Sequence, residues 1–206
     1  MTRGLFVAVL LIASAITAAR ADAQKLVKQN SIRSVPRPVL LDTTGQFQAR
    51  YAKVGEDLFI AGQPTQRALR EMKAQGVTTV VNLRSPSEMQ RIGFDEAKLI
   101  EELGMEYVYL PVRGDAEFPY TTATLAKFTE VMARVEGKVL LHCTIAWRAS
   151  HLWAAYLIQQ GVAASDALAH TRAINLMDDH RMDANGRQPV ELFLGRTVPG
   201  LGKGGA

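Results

Sequence analysis

The sequence contains a single cysteine, Cys143, among its 206 residues. One cysteine cannot form an internal disulfide, so no covalent cross-link holds the fold together. Two explanations of the residue stay open: an inert thiol buried in the core, or a reactive thiol. The reactive explanation gains weight if the chain is exported, because an unpaired thiol then has to persist in an oxidising compartment.

Clustered positive charge and clustered metal ligands are also missing. The formal net charge is only +4, and the lysines and arginines do not gather in one stretch, which argues against a nucleic-acid partner. The mild positive balance favours anionic small substrates over cationic ones. His151, His170 and His180 are too scattered to form a metal set. We therefore expect no metal and no cofactor.

The one long hydrophobic run lies at the N-terminus. Arg3 precedes an uncharged apolar stretch at 5–19, and the small residues Ala21 and Ala23 precede Gln24. This order is typical of a secretory signal peptide, so we predict that residues 1–23 are cleaved and that the protein is exported, to the periplasm. The alternative is a retained anchor, but the run is shorter than the roughly 20 residues that a membrane span requires. No stable membrane insertion is expected after cleavage.

Three further regions follow the predicted signal peptide. Residues 24–49 are polar, contain Pro36 and Pro38 and show no clear period, which predicts an extended arm. Residues 50–195 alternate between strand and helix signals, which predicts one α/β domain with a mostly parallel central sheet flanked by helices. Residues 196–206 are rich in glycine and predict a flexible tail.

Apolar periodicity and capping residues locate the elements of this domain. The predicted strands are Leu58–Ala61, Thr78–Leu83, Met105–Leu110 and Lys138–His142. Three helices are predicted without interruption: Thr65–Gln75, Thr122–Glu136 and Arg148–Gln160. Another opens with a capping box at Ser85–Glu88, breaks at Gly93 and resumes through Leu103. The last is capped by Ser165 and runs to about Leu176.

The clearest chemical signal lies at the end of the last predicted strand. Cys143 follows His142 directly, and Arg148 opens a long apolar helix five residues later. Such a loop builds an anion cradle, because backbone N–H groups turn inward, a helix N-terminus points at the site and an arginine adds a two-pronged donor. Positive potential at such a site stabilises a thiolate. Ligands of parallel sheets bind outside the carboxyl ends of the strands, where Cys143 is predicted to lie.

Four motifs in the right order resemble the dual-specificity-like cysteine phosphatases of the protein tyrosine phosphatase superfamily. They are Ala61–Thr65, Val80–Arg84, Tyr107–Pro111 and the segment His142-Cys143-x4-Arg148. Within that superfamily the chain is most similar to the phosphatase-like domain of bacterial beta-lactamase-hydrolase-like proteins, which shares the short Cys-x4-Arg loop. The resemblance covers Tyr51 to Leu176 and implies a cysteine-phosphatase-like fold.

The resemblance implies a catalytic role for several residues. Cys143 is the implied nucleophile, which attacks phosphorus to form a thiophosphate. Arg148 is implied to hold two phosphoryl oxygens and to stabilise the charge that develops on them. His142 is implied to orient the loop. Asp115 is expected to protonate the leaving group, with Glu117 as the alternative.

Other residues are implied to surround the phosphate. Arg84, at the end of a central strand, widens the positive field, unless it forms a salt bridge to Glu88 in the next turn. The loop between nucleophile and arginine consists of Thr144, Ile145, Ala146 and Trp147.

Three departures from the usual phosphatase pattern keep other functions open. Four residues separate Cys143 from Arg148 instead of five, and rhodanese-type sulfurtransferases use the shorter interval. Ala146 replaces a loop glycine, which readily adopts a positive φ that alanine resists. Ala149 replaces a serine or threonine that often bonds the sulfur, and Ser150 is the candidate substitute.

Hydrolysis of a phosphate monoester is the leading hypothesis, with a phosphorylated small molecule or a phosphoprotein, such as one carrying phosphotyrosine, as substrate. The alternatives are sulfur transfer through a Cys143 persulfide and non-catalytic binding of a phosphate or phosphoprotein.

Overall fold

The computed structural model describes residues 35–177, 183, 185–199 and 201. The predicted signal peptide, the first part of the predicted arm, His180 and most of the predicted tail lie outside the described residues. Within the described ranges, no helix is both long and apolar enough to cross a membrane.

A six-stranded sheet forms the centre of the described part of the chain. Its strands are β1 (Val39–Leu40), β2 (Tyr51–Val54), β3 (Leu58–Ala61), β4 (Val77–Asn82), β5 (Glu106–Tyr109) and β6 (Lys138–His142). They lie in the order β1-β2-β3-β6-β4-β5, and every pairing from β3 to β5 is parallel while β1 and β2 add an antiparallel edge. The predicted α/β class with a mostly parallel sheet is confirmed.

Helices flank this sheet and follow the predicted pattern closely. They are α1 (Gln66–Ala74), α2 (Pro86–Met89), α3 (Glu96–Glu102), α4 (Thr122–Arg134), α5 (Trp147–Gln159), α6 (Ala164–Arg172) and α7 (Pro189–Leu194). Helix α1 shows why the signals worked: Thr65 Oγ1 accepts from the Ala68 N–H at 3.1 Å, and Gly76, after its end, has φ of 90°. The apolar face predicted for this helix is buried.

Two features near the C-terminus differ from the predictions. Ser165 does not cap α6, because the helix begins at Ala164 with Ala163 at the N-cap. Helix α7 was not predicted; it has Pro189 in its first turn and a capping box between Gln188 and Glu191. Glutamine is an uncommon N-cap and the helix has only six residues, so the proline and the glutamate three residues after the N-cap were not accompanied by the usual capping residue or by a long apolar period.

The packed fold begins before residue 50. Strand β1 pairs with β2, with Val39 opposite Lys53, and the Phe47 ring stacks on the Tyr51 ring at a centroid distance of 4.2 Å. Residues between 36 and 49 therefore contribute to the core. The sequence did not reveal this, because the segment is mostly polar and contains a single aromatic residue. At the other end, Val198 is buried and its N–H donates to Glu191 Oε1 at 2.9 Å.

The sheet order brings the chemistry-bearing segments to one edge. Strand β6 lies beside β4, with His142 opposite Asn82. Because the two strands are parallel, the residues that follow them, Cys143 and Arg84, emerge at the same carboxyl edge. Helix α5, which is buried along nearly its whole length, fixes the other end of the loop that begins at Cys143.

Candidate active site

Cys143 follows β6 and is completely buried. Its N–H donates to the carbonyl of Ala61 in β3 at 3.3 Å, so the sheet holds the backbone of the predicted nucleophile. The loop ends where α5 begins at Trp147. Arg148 lies in the first turn of that helix and is also buried.

The loop passes through one backbone conformation that favours glycine. Ala146, the N-cap residue of α5, has φ of 67° and ψ of −4°, in the left-handed region, which costs a residue with a Cβ roughly 1–2 kcal/mol. This is the position at which the family resemblance implied glycine. Neighbouring bonds hold the conformation: the Gln63 N–H donates to the Thr144 carbonyl at 3.0 Å, and Asn175 Nδ2 donates to the Ile145 carbonyl at 2.5 Å.

We expect Ala146→Gly to destabilise the protein less than Ala149→Gly does. The two losses in unfolding free energy should differ by about 1–2 kcal/mol. Both alanines are completely buried, so both substitutions remove one buried methyl group. Both also increase the conformational entropy of the unfolded chain by the same amount. They differ in that Ala149 has ordinary helical geometry and Ala146 is strained. Urea unfolding of the two variants measures the difference; equal losses would show that the left-handed conformation of Ala146 carries no cost.

A glycine beneath the loop permits this close packing. A Cβ on Gly62 would lie 1.7 Å from the carbonyl oxygen of Gln48 and 2.8 Å from that of Thr144. Such distances are far inside van der Waals contact, so a larger residue would displace the loop. The Ala61–Thr65 motif therefore shapes the floor of the site.

Arg148 is held by a bidentate ion pair that the sequence did not reveal. Its Nη2 donates to Glu88 Oε1 at 2.6 Å and its Nη1 to Glu88 Oε2 at 2.8 Å, a two-pronged geometry that fixes the plane of the guanidinium. Nη1 also donates to the carbonyl of Val112 at 2.8 Å. Burial by itself lowers the pKa of Arg148, but the hydrogen bonds to Glu88 and the nearby Cys143 raise it above its ordinary value.

Glu88 serves two functions at once. Its carboxylate accepts from the Ser85 N–H at 2.9 Å in the predicted capping box, and it accepts from Thr144 Oγ1 at 2.6 Å. Burial by itself raises the pKa of Glu88, but the hydrogen bonds from Arg148 and Thr144 hold that pKa well below its usual range. Glu88 is therefore ionised and ties the loop to α2.

Arg84 does not form the predicted alternative salt bridge to the carboxylate of Glu88. Its Nη2 donates to the main-chain carbonyl of Glu88 at 3.0 Å, and its Nη1 donates to the Gln63 side-chain oxygen. Arg84 is 6% exposed and its Nε has no hydrogen-bond partner among the described residues. Burial lowers the pKa of this guanidinium, while Glu88, Glu96 and, to a smaller extent, Cys143 favour its charged form. Arg84 therefore lies in the electrostatic environment of the site, although it forms no salt bridge of its own in the described part of the chain.

His142 belongs to a buried polar cluster that sequence reasoning also missed. His142 Nε2 donates to Glu96 Oε1 at 3.1 Å, with both side chains fully buried. Asn82 Nδ2 donates to the same carboxylate at 2.8 Å and Gln63 Nε2 at 2.6 Å. Burial raises the pKa of Glu96, but its electrostatic interaction and hydrogen bond with His142 lower that pKa to below the usual range. His142 is thereby fixed in orientation, which suits the positioning role implied for it.

Asp115 lies on a turn at the protein surface. Its Oδ1 accepts from the Phe118 N–H at 2.8 Å and its Oδ2 pairs with Arg113. The bond from Phe118, followed by that from Arg113, holds the pKa of Asp115 below its usual range. The same loop is joined to the site through Val112, whose carbonyl binds Arg148. The alternative acid, Glu117, is exposed.

Two further predicted residues make contacts within α5. The Ser150 hydroxyl donates to the Ala146 carbonyl at 2.9 Å, so its proton is directed at the backbone and not at the sulfur. The Trp147 ring packs on His151 at a centroid distance of 4.0 Å. Among the described residues, no three His, Cys, Asp or Glu side chains are arranged to hold a metal ion.

Comparison with known proteins identifies one family over most of the described chain. Residues 38–187 match the family described as "PTP-NADK: DSP-PTPase phosphatase fused to NAD+ Kinase". A beta-lactamase hydrolase-like protein of Agrobacterium fabrum is 33% identical over 103 residues, which cover 49% of this chain and 23% of that protein. A protein of the same name from Xylella fastidiosa is 29% identical over 132 residues, covering 62% and 30%. The chain thus matches less than a third of the length of these relatives.

Solved structures show the same fold. The DUF442 protein of Shewanella putrefaciens is 27% identical with a TM-score of 0.50, covering 62% of this chain and 80% of that one. TpbA of P. aeruginosa is 20% identical with a TM-score of 0.55, covering 82% and 96%, and TpbA has also been solved in complex with phosphotyrosine. The likeness to TpbA is one of fold. The expected cysteine-phosphatase-like fold is confirmed.

Proposed function

Since the chain belongs to the DSP-PTPase family described as fused to NAD+ kinase, and is a dual-specificity-like cysteine phosphatase of the protein tyrosine phosphatase superfamily, we propose that it hydrolyses phosphate monoesters through a thiophosphate at Cys143. The family and the fold support phosphatase activity in general.

In the first step, the Cys143 thiolate attacks phosphorus and the bond between phosphorus and the leaving-group oxygen breaks. The proton that this oxygen needs comes from Asp115. Arg148 donates to two of the phosphoryl oxygens as charge develops on them. Backbone N–H groups of residues 144–148, at the N-terminus of α5, contribute further positive potential.

In the second step, a water molecule attacks phosphorus and the sulfur–phosphorus bond breaks. Asp115, now a carboxylate, takes the proton of that water, so inorganic phosphate leaves and both residues return to their starting forms. Arg148 holds the same oxygens throughout, and Glu88 keeps the guanidinium plane fixed.

The observation that carries the proposal is the fixed guanidinium beside the sulfur. Arg148 is oriented by the two hydrogen bonds that it donates to Glu88, and it lies close enough to Cys143 for that residue to influence its pKa. Glu88, Val112 and Thr144 already accept from the two Nη atoms. Arg148 therefore meets a phosphoryl group with its Nε–H and with an Nη donor that exchanges one of these neighbours for a phosphoryl oxygen. The test is steady-state hydrolysis of 4-nitrophenyl phosphate by the purified protein without its first 23 residues.

Sulfur transfer is the second candidate, and the short loop favours it. Four residues between Cys143 and Arg148 give a cradle with fewer inward N–H groups than the usual phosphatase loop. Transfer from thiosulfate to cyanide, measured beside phosphate release on the same preparation, separates the candidates. Faster sulfur transfer than phosphate release would favour the persulfide.

Asp115→Asn separates the acid from the nucleophile. If Asp115 protonates the leaving group, we expect its loss to slow an alkyl phosphate by about 10²–10⁴-fold. The same change should slow 4-nitrophenyl phosphate much less, because that leaving group departs without a proton. Glu117→Gln on the same loop is the matched comparison, and a uniform loss on both esters in Asp115→Asn would assign Asp115 a structural role.

The pH profile gives a second reading of the same variant. A general acid acts in its protonated form, and the Phe118 N–H and Arg113 lower the pKa of Asp115. We therefore expect kcat/KM for the alkyl ester to rise as the pH falls toward that depressed pKa, and this dependence to disappear in Asp115→Asn.

A further inference from the structure

A basic cavity of about 570 Å³ lies beside the candidate active site. Its wall combines the turn before β2, the N-terminus of α1, Arg84 just after β4 and the segment between α2 and α3. The side chains that matter for its chemistry are Arg67, Arg84, Arg91 and Gln63, with Phe94 at one side. Cys143 and residues 144–148 do not line it.

Basic side chains predominate among the charged residues that line this cavity. Of the described residues that form its wall, none is acidic. Arg67 pairs with Glu71 at 2.8 Å, but Arg91 donates its Nε–H to the Ser87 carbonyl at 3.0 Å and has no carboxylate within salt-bridge distance in the described part of the chain. Arg84 is buried with its Nε unpartnered. Helix α1 adds positive potential, since its N-terminal residues line the cavity and its first turn carries no acidic residue.

Two residues belong to both the cavity and the active site. Arg84 interacts electrostatically with Cys143 on one side and lines the cavity on the other. Gln63 lines the cavity, and its N–H donates to the carbonyl of Thr144 in the catalytic loop. Through Arg84 and Gln63 the wall of the cavity is continuous with the candidate active site.

We propose that this cavity is a second anion subsite and that the preferred substrate is a small molecule carrying two phosphate groups, one at Cys143 and one held by Arg91 and Arg84. The inference rests on the proposed function and names its substrate class. The volume suits a small ligand, since pockets for such molecules measure about 300–1,000 Å³. An arginine without a carboxylate partner loses no existing ion pair when a phosphate binds.

The experiment compares adenosine 3′,5′-bisphosphate with adenosine 5′-monophosphate by release of inorganic phosphate. We expect kcat/KM for the bisphosphate to exceed that for the monophosphate by about tenfold or more, as one charge-assisted contact allows. Arg91→Gln should reduce that ratio to near one. Arg70→Gln is the matched control, because Arg70 is an exposed arginine on α1 that does not line the cavity; its ratio should equal that of the unmodified protein.

Binding is measured separately, so that the subsite and the catalytic proposal are tested apart. Calorimetric titration of Cys143→Ser with the bisphosphate should show about tenfold tighter binding than Cys143→Ser combined with Arg91→Gln. If neither nucleotide nor 4-nitrophenyl phosphate is hydrolysed but this difference persists, the subsite stands and the catalytic function falls. Equal ratios in the Arg91→Gln and unmodified proteins would overturn the subsite. A higher kcat/KM on a singly phosphorylated tyrosyl peptide than on the bisphosphate would overturn the proposed substrate class.

Discussion

Cys143→Ser is expected to abolish hydrolysis of 4-nitrophenyl phosphate, with a loss in kcat of roughly 10³-fold or more, as for other nucleophile replacements. The hydroxyl is close in size to the thiol but is a far weaker nucleophile near neutral pH. The Cys143 side chain is completely buried between β6 and α5, so the conservative change leaves the surrounding packing in place. Steady-state kinetics of the purified variant gives the measurement.

Two controls make this result specific. Cys143→Ser should still bind inorganic phosphate, because the donors of Arg148 and of the loop backbone are unchanged. Acid-quenched mass spectrometry of the unmodified protein should find a phosphoryl adduct on Cys143 after an aryl phosphate; a sulfur adduct after thiosulfate, without the phosphoryl adduct, would point to the persulfide route. A serine variant that turns over at near the original rate would remove Cys143 from the mechanism altogether.

The elements of the fold were predictable because their signals are local. Helix α1 has an apolar face of Ala68, Leu69 and Met72 and a capping threonine at Thr65, all of which are visible within one short window. Strand β6 was predicted with its observed bounds, Lys138–His142. Since Cys143 directly follows this strand, the location of the loop from Cys143 to Arg148 was predictable as well.

The supporting side chains were not predictable, because their partners are distant in sequence. Glu88 binds Arg148, which lies 60 residues further along the chain, and its place in a capping box already accounted for a glutamate there. Glu96 binds His142 across 46 residues. Local periodicity contains no information on such pairs, which arise when parallel strands bring distant segments to the same edge of the sheet.

The conformation of Ala146 was predictable in part: the sequence pattern indicates the unusual backbone position, but not the distant contacts that hold it. Comparison with the usual loop pattern indicated that a glycine was expected there, and the observed φ of 67° explains that expectation. The sequence could not show what compensates for the alanine. The structure supplies the bonds from Gln63 and Asn175 that hold the loop on either side, and these donors come from segments far apart in sequence.

Arg148→Lys is expected to lower kcat/KM for 4-nitrophenyl phosphate roughly 10²-fold. This corresponds to a loss of about 3 kcal/mol in transition-state stabilisation, as the loss of a major oxyanion donor causes. Lysine keeps the positive charge but presents a point donor where the bidentate contacts with Glu88 require a planar fork. Near-original kcat/KM in the lysine variant would mean that Arg148 does not hold the transferring group.

Glu88→Gln tests the orientation of that arginine independently of its charge. We expect a smaller loss of kcat/KM, about tenfold. In the Arg148→Lys background Glu88→Gln should have little further effect, because both changes remove the same geometry.

The stability of the Glu88→Gln protein adds a readout that a purely catalytic role would leave unchanged. Since the folded-state pKa of Glu88 is depressed, its stabilising contribution is complete above the ordinary value of about 4.3 and is lost as the pH falls further. The difference in unfolding free energy between the unmodified protein and Glu88→Gln should therefore be constant at neutral pH and shrink in acid; a difference that does not change with pH would show that the ion pair with Arg148 contributes nothing to folding.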